Sequence, residues 1–198
     1  MKSLSILILL VLSSITYGQK VSKSERELIG SGPNSAPMKV MQVTDSAGLQ
    51  ILRKKSFIIS NPKARIWKKL SERMLATVTN PEHKGVGIAA PQIGINRQLI
   101  LIQRFDKPEQ AFQTMINPII LHVSDSTWFR NEGCLSIPII REEVKRPWEV
   151  SVSFTGLDGK QYSEKIYGFT ARIFLHEFDH LNGKLFTDYS TKSITSKK

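Results

Sequence analysis

His176-Glu177-Phe178-Asp179-His180 constrains this chain more than any other stretch. Two histidines four residues apart share a face only when the segment is helical, where they sit one turn apart. Neutral imidazoles so placed can bind one divalent metal at ~2.0–2.1 Å, with Glu177 in reach of a water beside it. The plain alternative is a pair of solvated histidines on an acidic stretch. Two of only four histidines falling at this spacing around a glutamate argues against it. A helix is therefore expected from Gly168, carrying Ala171, Leu175 and Phe178 and ending near Gly183.

A metal site that keeps a position for water needs a third protein ligand. Beyond Asp179 the only carboxylate is Asp188, and no histidine follows His180. Cys134, within Glu132-Gly133-Cys134-Leu135-Ser136, is the better candidate, set against the usual fate of a free cysteine as a small buried residue. It is the only cysteine, which excludes an intrachain disulfide framework and a four-cysteine zinc module. Gly85-Val86-Gly87-Ile88-Ala89-Ala90-Pro91-Gln92 is a run of small residues that lets backbone pass close to something bulky, with Gln92 as the polar group at its end. A tight loop after a helix is the plain reading of the same residues.

The remaining pattern is mixed. Ile66, Leu70, Met74 and Val78 recur every four residues with Trp67 and Leu75 beside them, an apolar helical stripe opened by Ser60, Asn61 and Pro62 and ended by Pro81. Leu99 to Ile102 reads as a buried strand, and Phe112 to His122 as an extended stretch with a turn or bulge at Asn117-Pro118. Val150, Val152 and Phe154 alternate with polar residues, Leu157-Asp158-Gly159-Lys160 turns the chain, and Tyr162 to Tyr167 returns it as a hairpin. These elements predict an α+β domain: short, mostly antiparallel strands packed around a central metal-binding helix, with a second, N-terminal helix.

The net charge of +11 raises nucleic acid or another acidic surface as a partner. Basic residues occur only in short runs, as at Lys54-Lys55 and Lys68-Lys69, and no nucleic-acid motif appears, so sequence-specific nucleic-acid binding is not expected. At the N-terminus, Lys2 precedes the apolar run Leu4 to Leu12, and small residues follow at Thr16 and Gly18. That order matches a signal peptide over residues 1–18, too short for the ~20 apolar residues that span a bilayer. Export to the periplasm or beyond is expected, with no transmembrane anchor after cleavage; the cytoplasm is the alternative. Residues 19–37, with Gly30, Gly32, Pro33 and Pro37, read as a flexible leader, and residues 191–198 as a polar tail.

Taken together, residues 85–92, residues 132–136 and His176-Glu177-Phe178-Asp179-His180-Leu181 resemble the peptide deformylase family in motif, order and spacing. Asn117-Pro118, Ile137-Pro138 and Gly183-Lys184-Leu185-Phe186 add to the resemblance, which covers residues 38–190 as one catalytic domain. It implies a metal-dependent hydrolase that removes the formyl group from N-terminal formyl-methionine of polypeptides, through a metal-held water activated by Glu177. It further implies Cys134, His176 and His180 as ligands of one divalent metal, with Fe(2+) favoured and Zn(2+), Ni(2+) or Co(2+) as alternatives. Gln92 and the Leu135 N–H would stabilise the oxyanion. Val86, Gly87 and Gly133 would pair with the substrate backbone, and Phe169, Arg172 and Ile173 would line the pocket for its first side chain. Arg141 would support the cysteine loop. An aliphatic residue is expected where Arg172 stands; an arginine there would pack its stem and send its head to water. The implied partner is an N-formylated peptide, with weak association to ribosomes or other acidic surfaces. An exported amidase or peptidase acting on another N-acylated substrate is the alternative, motivated by the leader and Arg172.

Overall fold

The computed structural model describes residues 20–189. Its helices are α1 (Lys23–Gly30), α2 (Ser46–Leu52), α3 (Arg65–Val78) and α4 (Gly168–Leu181). Its strands are β1 (Gly87–Ala89), β2 (Leu99–Gln103), β3 (Phe112–Val123), β4 (Thr127–Cys134), β5 (Ile137–Pro147), β6 (Glu149–Thr155) and β7 (Gln161–Tyr167). Five of them form one sheet in the order β1-β2-β3-β6-β7, while β4 and β5 form a separate hairpin, and all these pairings are antiparallel. The α+β class expected from the sequence is the class observed.

Why the layers form is plainest in β2. Successive strand side chains point to opposite faces. Leu99 and Leu101 join Trp67, Leu70, Met74 and Val78 of α3, while Ile100 and Ile102 join Ala171 and Phe174 of α4. The sheet is thus buried on both sides, and α4, which carries the histidine pair, is clamped against it.

The expected stripe on α3 is the face that packs, although Leu75 is exposed. The helix starts at Arg65, later than expected from Pro62. Asn61 acts through its carbonyl, which accepts the Ala64 N–H (3.1 Å) and the Trp67 indole N–H (3.0 Å). That turn delays the first helical residue. At Asn117 the backbone turns to φ 50°, and the β3–β6 register shifts between Ile116 and Ile119, at the site where a turn or bulge was expected.

Residues 19–37 depart most from expectation, since a helix stands within the supposed flexible leader. Ser22 and Glu25 form a capping box that starts α1. Arg97 donates to Glu25 (2.6 and 2.8 Å) and to the Lys20 carbonyl, and Arg73 donates to the carbonyls of Leu28, Ile29 and Ala36. Two buried guanidiniums therefore hold the segment to the body. The expected signal peptide (residues 1–18) and polar tail (residues 191–198) lie outside the described residues. Among the described residues no helix is long and apolar enough to cross a membrane.

Candidate active site

On α4, His176 and His180 face each other edge to plane, ring centroids 5.1 Å apart. Cys134 comes from the end of β4, its Sγ 3.3 Å from His180 Nε2. One donor atom from each of Cys134, His176 and His180 lies within 4.8 Å of the other two. A thiolate and two imidazoles at that separation can share one divalent ion.

The surroundings fit such an ion. The Ser136 N–H and the Gln92 amide both point at the sulfur, at 3.4 and 3.3 Å. His176 Nδ1 donates to Glu132 Oε2 at 2.9 Å, which leaves Nε2 as that ring's metal donor. Burial opposes charge on His176, but its contacts with Cys134 and Glu132 outweigh burial and hold its pKa well above the ordinary value, so this spot favours positive charge. His180 is shifted well below the usual range, by burial first and then by the charge of His176, so its neutral, ligating form is favoured.

Glu177 is 4 % exposed, and its Oε2 has no hydrogen-bond partner. Burial pushes its pKa up to about 7. A carboxylate poised there can both take and return a proton near neutral pH. Gly87 on β1 makes room for it: a Cβ at that position would lie 2.6 Å from Glu177 Oε1 and 2.7 Å from Ile173 Cγ2. Gln92 is fixed by accepting the Ala89 N–H at 2.8 Å, which directs its amide nitrogen to Cys134 Sγ and Ser136 Oγ, both at 3.3 Å.

Most of these groups open onto one cleft of about 360 Å³. Val86, Gly87, Gln92, Gly133, Cys134, Leu135, Phe169, Arg172, Ile173, His176 and Glu177 line it, so every expected site residue is brought there except His180, which is buried behind Cys134. β1 is the outer strand of its sheet, so its free edge is available on the cleft side. Arg141 lines the cleft beside Gly133.

Two features were not read from the sequence. Arg172 does not send its head to water. It is 2 % exposed and donates to Glu132 Oε1 (2.6 Å), the Val144 carbonyl (2.9 Å) and the Trp128 carbonyl (2.8 Å), tying α4 to the β4–β5 hairpin. In the sequence Glu132 is only a flank of the cysteine, yet in the fold it is the hub: His176, Arg172 and Arg146 all donate to it. Burial alone would raise Glu132, but the bonds from His176 and Arg146 prevail and hold it at about 2. Arg146 in turn pairs with Asp179 at 2.5 Å. The available signal was a lone acid two residues before the only cysteine.

A family model described as polypeptide deformylase matches residues 37–195. The chain belongs to the peptide deformylase family. A peptide deformylase of Synechocystis sp. is 38% identical over 138 residues, covering 66% of this chain and 73% of the relative. One from Agrobacterium fabrum is 39% identical over 143 residues, covering 72% and 82%. The crystal structure of the Thermotoga maritima peptide deformylase superposes with a TM-score of 0.70 at 33% identity, covering 78% of this chain and 98% of that one. A class I type b enzyme from Acinetobacter baumannii, solved with Met-Ala-Ser bound, gives 0.70 at 32% identity, covering 78% and 99%. Like the rest of its family, the chain is a metal-dependent hydrolase, and the alternative amidase reading is not favoured.

Proposed function

We infer that this chain removes the formyl group from N-terminal formyl-methionine, with Cys134, His176 and His180 holding one divalent metal and Glu177 moving the proton. The observation that carries the reading is the buried Glu177, its Oε2 without a partner, beside a Cys-His-His donor set at the edge of a free strand. Fe(2+) is proposed as the resident ion, with Zn(2+), Ni(2+) or Co(2+) as the other ions such ligands suit.

The ion, when bound, would supply a Lewis acid that polarises the formyl group and brings the pKa of water down to about 7. Glu177 accepts the proton of the attacking water and passes it to the departing amine, so the peptide leaves with a free N-terminus and the formyl group as formate. The Gln92 amide holds its two neighbours by long bonds and exchanges one for the developing oxyanion, beside the Leu135 N–H. A single such donor is worth ~3 kcal/mol in the transition state. The edge of β1 at Val86 and Gly87, with Gly133 opposite, adds the substrate as a further strand, and such pairing is indifferent to most side chains. Phe169, Ile173 and the stem of Arg172 form the wall for the first side chain. That the Acinetobacter relative was solved with Met-Ala-Ser bound supports a short peptide as the kind of molecule this cleft takes.

The test is amine release from formyl-, acetyl- and unblocked Met-Ala peptides, using anaerobic iron-loaded protein. Turnover confined to the formyl peptide is expected; no turnover by folded, metal-replete protein would overturn the reading. Residues 1–18 are proposed as a cleaved signal peptide, so the mature chain is expected to begin at Gln19, and a retained Met1 would return it to the cytoplasm. The +11 charge supports weak, salt-sensitive association with ribosomes or other acidic surfaces.

A further inference from the structure

The cleft has a charge asymmetry that the chemistry of deformylation does not use. Its ionisable lining divides into two depths. At the bottom lie Glu132 and Glu177, both nearly fully buried. Glu132 is matched by Arg146 at 3.0 Å and Arg172 at 2.6 Å, so it sends little field outward. At the mouth stand Lys84, Arg130 and Arg141, all exposed and all cationic. None of the cleft-lining residues at this outer level is a carboxylate. Glu82, Glu142 and Glu143, which neighbour Lys84 and Arg141 in sequence, are outside the lining.

The cations are also placed along the course of a bound chain. Lys84 precedes Val86 and Gly87, the free strand edge. Across the cleft, Arg141 lies against Gly133. Arg130 stacks its guanidinium over Phe169 at 4.3 Å, on the wall of the first side-chain pocket. A peptide added to β1 with its first side chain toward Phe169 and Ile173 has to carry its second, third and fourth residues out between these three groups.

We propose that this cleft selects formylated peptides bearing acidic side chains among the few residues that follow the first, through Lys84, Arg130 and Arg141. The proposal rests on the deformylase reading and narrows its substrate class. Exposed charges act over about a Debye length, ~8 Å at physiological ionic strength and ~3 Å at 1 M, so the preference must weaken with salt. Attraction at the mouth acts before the chemical step, so it resides in KM and kcat/KM and leaves kcat nearly unchanged.

Three peptides of one length decide it: formyl-Met-Ala-Asp-Asp, formyl-Met-Ala-Ser-Ser and formyl-Met-Ala-Lys-Lys, assayed at 20 mM and 500 mM NaCl. The expected order is Asp above Ser above Lys, with about a tenfold spread in kcat/KM at low salt that collapses at high salt. Lys84→Glu and Arg130→Gln, each normalised to its own rate on the Ser peptide, should shrink the spread, and the pair combined should remove most of it. Equal rates on Asp and Lys peptides at low salt, a preference for Lys, or a spread that survives in the double variant would overturn the proposal. Turnover of the Ser peptide reports separately on the deformylase reading, since that substrate carries no charge for the rim to select.

Discussion

Two buried glutamates with different roles show how residue chemistry divides the site. Glu132 is charged and fully engaged by His176, Arg146 and Arg172. Glu177 has its Oε2 without a partner. Their substitutions should therefore move different observables. Glu132→Gln leaves Arg146 and Arg172 short of an anion and loosens the His176 ring. Metal affinity, read by chelator competition, should fall about 10–100-fold, and Tm should fall with it. A variant with unchanged affinity would remove Glu132 from the ligand-orienting role. Glu177→Gln removes a charge that burial disfavours, so Tm should hold or rise while turnover falls at least ~100-fold with metal retained. Near-full activity would refute Glu177 as the proton carrier. The role of Glu177 was legible in the sequence because the two histidines fix its place on the helix. Glu132 was not, because its meaning lies in contacts to residues 14 to 44 positions away.

At the scale of elements, α4, β2 and the β6–β7 hairpin were legible because their hydropathy carries the period of their geometry. The β4–β5 hairpin was not. Its buried positions are Glu132, Ile137, Val144 and Arg146, so half of what faces inward is charged, and no alternation of apolar and polar residues survives. The charges are satisfied by each other and by Arg172, which is knowledge of the fold and not of the strand. α1 was hidden differently: its capping box was present, but the density of Gly and Pro after it suggested a leader. The strand edge supports a sharper test. Gly87→Ala places a methyl against Glu177 and Ile173, both buried, whereas Gly133→Ala meets the tip of exposed Arg141, which can move aside. Gly87→Ala should cost at least about tenfold in kcat/KM, because small displacements of a reacting group are expensive. Gly133→Ala should cost distinctly less. Equal losses would mean that close approach of backbone to Glu177 is not what position 87 supplies.

Across the whole molecule, arginine–carboxylate pairs fasten peripheral segments to the core. Arg97 holds α1 through Glu25, Arg104 holds the loop after β2 to Asp106 and to Glu164 of β7, and Arg53 holds the last described turn through Asp188. Burial raises Glu25, Asp106 and Glu164, yet their basic partners (Arg97, Arg104, and for Glu164 Lys107 ahead of Arg104) outweigh it and leave each below its ordinary pKa; for Asp188 the Arg53 hydrogen bond is itself the largest influence and lowers it. A carboxylate whose folded pKa is depressed stabilises the fold above its unfolded pKa, near 4, and loses that stabilisation as pH falls through the folded value. Stability of the metal-loaded chain should therefore be flat from pH 7 to about 5 as far as these groups are concerned, then decline as pH falls below about 4.5. The Arg53 pair, exposed on both sides, should contribute least. Glu25→Gln isolates the contribution of α1. Its Tm deficit against the parent should be largest near neutrality and should shrink as acid protonates Glu25 in the parent. Thermal melts of both proteins at matched pH steps read this directly, and a deficit that stays constant from pH 7 to 3 would show that Arg97 and Glu25 do not fasten the helix by charge.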